Sequence, residues 1–271
     1  MARAGSENFP VASRLLPRAA RAHLLALYGF ARLVDELGDA EDRAPQQRLA
    51  ALEWIEAELD RALAGEDSHP LLARVAATAH ACGLPRGPFA RLIEANRLDQ
   101  RVTRYRTWEQ LRGYCALSAD PVGELVLGVF ALATPQRVAL ADSICTALQL
   151  IEHCQDVAED LARGRVYLPA EDLRRFGCDE ERLHEAHAGP ELRAVIAFEL
   201  ARARRLLADG APLIAQLRGR PRLAVAAFSA GGAAAAGAIE RAGCDVLAGA
   251  PRAGRRRRAL ALAATLLGAR A

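Results

Sequence analysis

The sequence predicts an all-α protein, and three observations carry that expectation. Ala, Leu and Arg dominate its 271 residues, whereas the β-branched residues that favour strands are scarce. Apolar residues recur at three- and four-residue spacings, as in Leu49, Leu52, Ile55 and Leu59. Gly or Pro bounds several of these segments, as Pro45 and Gly65 bound the second, where they punctuate helices.

Taken in order, Ser6-Glu-Asn-Phe-Pro10 reads as extended, because a residue before Pro avoids the α region. Pro17 suits the first turn of a helix that runs to about Asp39. One face of it is apolar (Leu24, Leu27, Phe30, Val34). Another carries Tyr28, Arg32, Asp35 and Asp39, a mixture that core packing does not explain and the wall of a polar-ended cavity does. Pro45 to Ala64 forms a second helix closed by Gly65, and His69 to Cys82 a third stopped by Gly83. Pro85 and Pro88 start a fourth, which carries Phe89, Leu92, Ile93, Asn96 and Asp99, with largely solvated arginines 97, 101, 104 and 106 along it. Thr107-Trp-Glu-Gln110 has the form of a capping box and opens a fifth. Pro121 must kink or break that helix. The break is either a structural kink or room, beside the small Ala119 and Gly123, for a ligand chain. Pro135 opens the next helix, and Arg163-Gly-Arg-Val-Tyr-Leu-Pro169 ends it as either a solvated loop or a flexible phosphate-clasping lid. Helices over 191–217, 221–246 and after Arg255 complete the chain. No composition shift marks a boundary, so residues 1–271 read as one domain with a basic tail over 252–271.

The chemistry concentrates on Gln149 to Pro169. In a helix, Glu152, Asp156 and Asp160 stack in one acidic line. Two unit charges about 4 Å apart repel by roughly 4 kcal/mol at an effective dielectric near 20, so a half-buried line of this kind calls for a cation. Asp35-Glu-Leu-Gly-Asp39 repeats the four-residue spacing on the first helix. Oxygen ligands without His or Cys favour Mg2+ or Ca2+, and Mg2+ shares its shell with phosphates. The alternative is a solvated helix face.

Composition narrows the field. The 36 basic and 33 acidic residues nearly cancel, which gives no ground for nucleic-acid binding. Six cysteines without a C-x-x-C pair read as reduced thiols of a cytosolic protein. His184 and His187 lack zinc-motif spacing, and no uncharged apolar run reaches about 18 residues. The sequence therefore reads as soluble, or resting on the inner face of a membrane.

Three blocks, Tyr28 to Asp39, Tyr114 to Gly123 and Gln149 to Pro169, resemble in order and spacing the signatures of the squalene/phytoene synthase family. The opening Glu-Asn-Phe-Pro, Ala-Asp-Pro-Val-Gly123 and Gly231-Gly232 with Ile239-Glu-Arg241 are most similar to its bacterial hydroxysqualene synthase branch. The resemblance implies a single-domain isoprenoid-synthase helical bundle with a central active-site cavity. It implies Asp35, Asp39, Asp156 and Asp160 as Mg2+ ligands, and Tyr28, Arg32, Tyr114, Gln149 and Arg165 at the diphosphate or reacting centre. Ser6, Asn8 and Phe9 would close over the substrate, with Ala119, Val122, Gly123 and Tyr167 lining its site. Glu152 stands where the family has Asn, so it becomes a further metal ligand or a repulsive charge. His153 and Cys154 replace aromatic residues.

The activity implied is Mg2+-dependent ionisation of presqualene diphosphate and water capture to hydroxysqualene, for squalene and hopanoid synthesis. Head-to-head condensation of two prenyl diphosphates and a catalytically silent assembly protein are the alternatives, and pathway enzymes are the expected partners. The tail, Arg255 to Arg258 followed by Leu260, Leu262, Leu266 and Leu267, either packs on the domain or rests as an amphipathic helix on anionic lipid.

Overall fold

A computed structural model of the chain describes residues 18–268. Thirteen α-helices lie among them: α1 (Arg18–Gly38), α2 (Pro45–Leu63), α3 (Pro70–Cys82), α4 (Arg86–Leu98), α5 (Trp108–Ser118), α6 (Asp120–Val129), α7 (Pro135–Gln155), α8 (Val157–Ala162), α9 (Ala170–Arg175), α10 (Pro190–Gly210), α11 (Pro212–Gln216), α12 (Gly219–Arg241) and α13 (Arg255–Gly268). Pro45, Pro70, Pro135, Pro190 and Pro212 each sit in a first helical turn, where a missing N–H costs nothing. Ser6, Asn8, Phe9 and Pro17 lie outside the described residues.

The core has two halves. In the first, α1 to α4 pack around Phe30 and Phe89, whose rings meet edge to face at 5.3 Å. In the second, α5, α7, α10 and α12 enclose Leu111, Leu150, Ile151, Ile196 and Ile239. Helix α6 serves both, giving Leu125 to one and Leu127 to the other. By length and composition α12 could cross a membrane, but 67% of its most apolar stretch is buried here, and it packs as a core helix. Helix α13 and the segment just before it lie on α12 through Ala261 and Ala253, with Leu262 and Leu266 against the main core.

The break expected at Pro121 is realised in full: α5 ends at Ser118 and Pro121 sits in the first turn of α6. Three differences from the sequence reading have physical causes. The acidic helix is not one straight rod: the backbone turns at Asp156 (φ −104°, ψ 20°), between α7 and α8. Hydrogen bonds from Asp156 N to the Glu152 carbonyl (2.9 Å) and from Asp160 N to the Asp156 carbonyl (2.8 Å) still carry the four-residue ladder across the bend. Residues 165–169 form neither a solvated loop nor a lid. They are buried, and Val166 N donates to the Thr103 carbonyl and Ala170 N to that of Tyr105, both at 2.9 Å. The apolar Val-Tyr-Leu-Pro stretch gains burial this way, and its backbone finds partners in residues 103–106. Finally, two arginines expected in solvent are paired, Arg97 with Glu56 and Arg104 with Glu180.

Candidate active site

A cavity of about 260 Å³ opens where the two core halves meet. Its wall takes Asp35 from α1 and Asp39 just after it, and Asn96 from α4 with the adjoining Asp99. Tyr114 and Ser118 come from α5, Gln149, Glu152 and His153 from α7, and Asp156 and Asp160 from the bend and α8. Arg163, Arg165 and Tyr167 complete it from the segment that follows. The two acidic motifs, more than a hundred residues apart in sequence, thus share one space.

Close packing holds α1 in place. A Cβ on Gly38 would lie 2.3 Å from Asn96 Oδ1, so only glycine lets α4 approach the acidic turn. Asn96 Nδ2 donates to Asp35 Oδ1 (3.3 Å), and Gln100 Nε2 donates to the Gly38 carbonyl (3.0 Å). Burial above all, with the charge of Asp39 adding to it, pushes the Asp35 carboxyl up to about 6 against the Asn96 hydrogen bond. Burial likewise raises Asp156 to about 6, reinforced by Asp160 and Glu159.

The floor is aromatic. Tyr114 and Tyr167 donate their hydroxyls to the two oxygens of Asp99, at 2.8 and 2.9 Å. His153 stacks on Tyr167 with centroids 3.9 Å apart and planes 14° apart, and Tyr105 stacks behind Tyr167 at 5.8 Å. Burial raises Asp99, opposed by the Arg165 charge and the two phenol bonds, and it holds the Tyr114 phenol well above its usual range. The phenols are therefore neutral and locked, presenting faces and not free hydroxyls. Arg165 Nη1 donates to Asp39 Oδ1 at 2.7 Å and so bridges the third sequence block to the first.

The remaining sequence candidates lie elsewhere. Tyr28 and Arg32 stand N-terminal to Asp35 on α1, outside the cavity wall, and Arg32 meets Glu36 at 3.3 Å. Ala119 is buried, and Val122 is 41% exposed. Gly123 faces α7, where a Cβ would come within 2.8 Å of Cys145 Sγ. In return the structure adds Asn96, Asp99, Ser118 and His153. For Asn96 and Asp99 the signal was present: they continue the buried stripe of Phe89, Leu92 and Ile93, where polar residues have no packing reason to be.

Six carboxylates (Asp35, Asp39, Asp99, Glu152, Asp156, Asp160) face two guanidiniums (Arg163, Arg165) around this space. The donors are all hard oxygens, which suits Mg2+. Among the described residues no three His, Cys, Asp or Glu side chains converge tightly enough to hold an ion alone.

Comparisons with known proteins identify the family. The profile of the squalene/phytoene synthase family matches residues 2–261. The hydroxysqualene synthase of Sinorhizobium fredii is 32% identical over 213 residues, 78% of this chain and 72% of that protein. The phytoene synthase of Mycobacterium tuberculosis is 34% identical over 175 residues, 65% of this chain and 57% of its own. Among solved structures, squalene synthase HpnC from Alicyclobacillus acidocaldarius superposes with a TM-score of 0.80 at 45% identity, covering 89% of this chain and 90% of that one.

Proposed function

Because the chain belongs to the squalene/phytoene synthase family, whose members process prenyl diphosphates on a terpenoid-synthase helical fold, we propose that it ionises presqualene diphosphate and yields hydroxysqualene by water capture. The observation that carries the reading is the single cavity in which both acidic motifs, Arg165 and the Tyr114–Tyr167–His153 aromatic wall meet. The similarity to hydroxysqualene synthase supports the choice of substrate.

Asp35, Asp39, Asp156 and Asp160, with Glu152 beside them, would hold Mg2+, which supplies the positive charge that lets a diphosphate leave. Arg163 and Arg165 add fixed guanidinium charge for the same leaving group, in the planar geometry that phosphate oxygens accept. The carbocation left behind needs electron-rich faces and no stray nucleophile. Tyr114 and the outer face of the His153–Tyr167 stack would provide them, a Tyr face being worth about 2 kcal/mol to a desolvated cation. Asp99 engages both phenolic hydrogens and fixes the rings at that orientation.

Purified protein supplied with Mg2+ and presqualene diphosphate, without NADPH, should release diphosphate and form hydroxysqualene. Formation of a cyclopropyl product from farnesyl diphosphate alone would instead establish condensation, the reading favoured by the phytoene synthase relative. A silent assembly protein would show neither, and diphosphate with Mg2+ would leave its Tm unchanged.

A further inference from the structure

We infer that Ser118 is a specificity-determining residue that holds the capturing water, so that the cation ends as an alcohol instead of losing a proton to become an alkene. This inference rests on the proposed function.

Few side-chain polar atoms among the described residues are both closed to solvent and without a hydrogen-bond partner, and of those residues only Ser118 also lines the active-site cavity. A hydroxyl in that position is abnormal. Buried polar groups are almost always bonded, and a helical serine ordinarily returns its hydrogen to the carbonyl four residues back, here Tyr114. Ser118 makes no such bond. It is the last residue of α5, where the chain breaks before Pro121, one turn beyond Tyr114.

Its neighbours on the wall are already engaged. Asp99 accepts from two phenols, Asp39 from Arg165 and Asp35 from Asn96, while the Gln149 amide nitrogen meets His153 Nε2 at 3.3 Å. The Ser118 hydroxyl is thus a neutral group with its bonding capacity intact, in a cavity where both phenols, the Asn96 amide nitrogen and the Gln149 amide nitrogen already have partners. A neutral hydroxyl contributes little to a highly charged leaving group that has Arg163 and Arg165 beside it. It suits a neutral guest that both donates and accepts, which is water.

The step balances without a redox partner. The bond from carbon to diphosphate breaks and the electron pair leaves with the diphosphate. After rearrangement, the oxygen lone pair of the water held at Ser118 forms the new carbon–oxygen bond. The surplus proton on that oxygen passes to the released diphosphate, the strongest base freed in the reaction. Water bound through one hydrogen to Ser118 Oγ keeps a lone pair directed away from the wall, toward the cation.

The test compares wild type with Ser118→Ala and with the isosteric pair Ser118→Thr and Ser118→Val, using presqualene diphosphate and Mg2+. Two quantities are read separately: diphosphate release, and the share of alcohol among the products with incorporation from labelled water. The expected result is an alcohol share at least about fivefold lower in the Ala and Val variants, with alkenes in its place, and recovery in the Thr variant. Diphosphate release should fall far less than the alcohol share. An unchanged alcohol share in Ser118→Ala, or equal behaviour of the Thr and Val variants, overturns the inference. So does a loss of release in strict proportion to alcohol, which marks a structural serine. A wild type that forms no alcohol overturns the proposed function as well, and is thereby distinguished from failure of the inference alone.

Discussion

Glu199 on α10 is fully buried, and it shares the guanidinium of Arg202 with Asp172 of α9. Arg202 itself lies over the rings of Trp108 and Phe198, at 4.6 and 4.8 Å. One positive charge thus serves two carboxylates in a dry setting. Burial pushes the Glu199 carboxyl from its ordinary 4.5 up to about 8 despite Arg202. Between those values the folded protein keeps a proton that the unfolded chain has released, so this group's stabilisation is complete below 4.5 and is lost as pH rises through about 8. From pH 5.5 to 8 the ceiling is about 3 kcal/mol, and sharing of Arg202 with Asp172 brings the expectation to about 2–3 kcal/mol. Glu199→Gln removes the ionisation while keeping the shape. Thermal and urea unfolding of both proteins between about pH 5.5 and 9 should show the variant gaining on wild type by that amount, or roughly 5–10 °C in Tm. A difference between the two that stays flat across the range would refute the buried-proton argument.

Gly210→Ala should lower stability by about 1–3 kcal/mol in urea melts, because its Cβ would come 2.4 Å from Ile144 Cγ1 and 2.8 Å from the Leu140 carbonyl oxygen where α10 crosses α7. Asp99→Asn turns one acceptor into a donor facing a phenol; turnover should fall about tenfold or more with a stability loss of roughly 1–3 kcal/mol, read by steady-state assay and melting. Helix α13 leaves Leu260 and Leu267 outward, 70% and 65% exposed, after a run of arginines. We therefore expect reversal of Arg255, Arg256 and Arg257 to Glu to reduce flotation with anionic vesicles, and flotation unaffected by deletion of residues 252–271 would end the membrane reading.

The readable features of this chain were the local ones. Proline has a fixed φ and no N–H, so the helices opening on Pro45 and Pro135 announced themselves, and a left-handed Gly83 (φ 63°) closed α3 as expected, whereas Pro212, read inside a helix over 191–217, starts a helix of its own. The four-residue spacing of carboxylates was equally local, and it brought both motifs to the cavity. What escaped was set by distant partners. Tyr167 meets Asp99 across 68 positions, and Val166 is fixed by Thr103, so nothing within Arg163 to Pro169 distinguishes a buried strap from a mobile lid. The short α9 (Ala170–Arg175) and the 3-10 turn Glu180–His184 hold too few residues for a periodic pattern. Thr107 caps α5 at Gln110 N as its motif implied, but Gln110 Oε1 reaches back to Arg106 N instead of closing the box on Thr107.

Repulsion along the acidic line, computed for a rigid helix, overstates what the molecule bears, and the structure shows where it is relieved. The bend at Asp156 takes that residue out of a straight rod, while the ladder on either side keeps it facing the cavity with Glu152 and Asp160. Raised carboxyls at Asp35 and Asp156 hold protons more readily, which trims the negative charge when no cation is near. Arg165 neutralises Asp39 directly, although burial opposes its own charge, because Tyr167, Asp99 and Asp39 together hold its guanidinium firmly protonated. Each of these devices is partial: six carboxylates still outnumber two guanidiniums. The proposed divalent cation would answer the remaining imbalance, and Arg165, already seated between the first and third sequence blocks, would put fixed positive charge beside an arriving diphosphate.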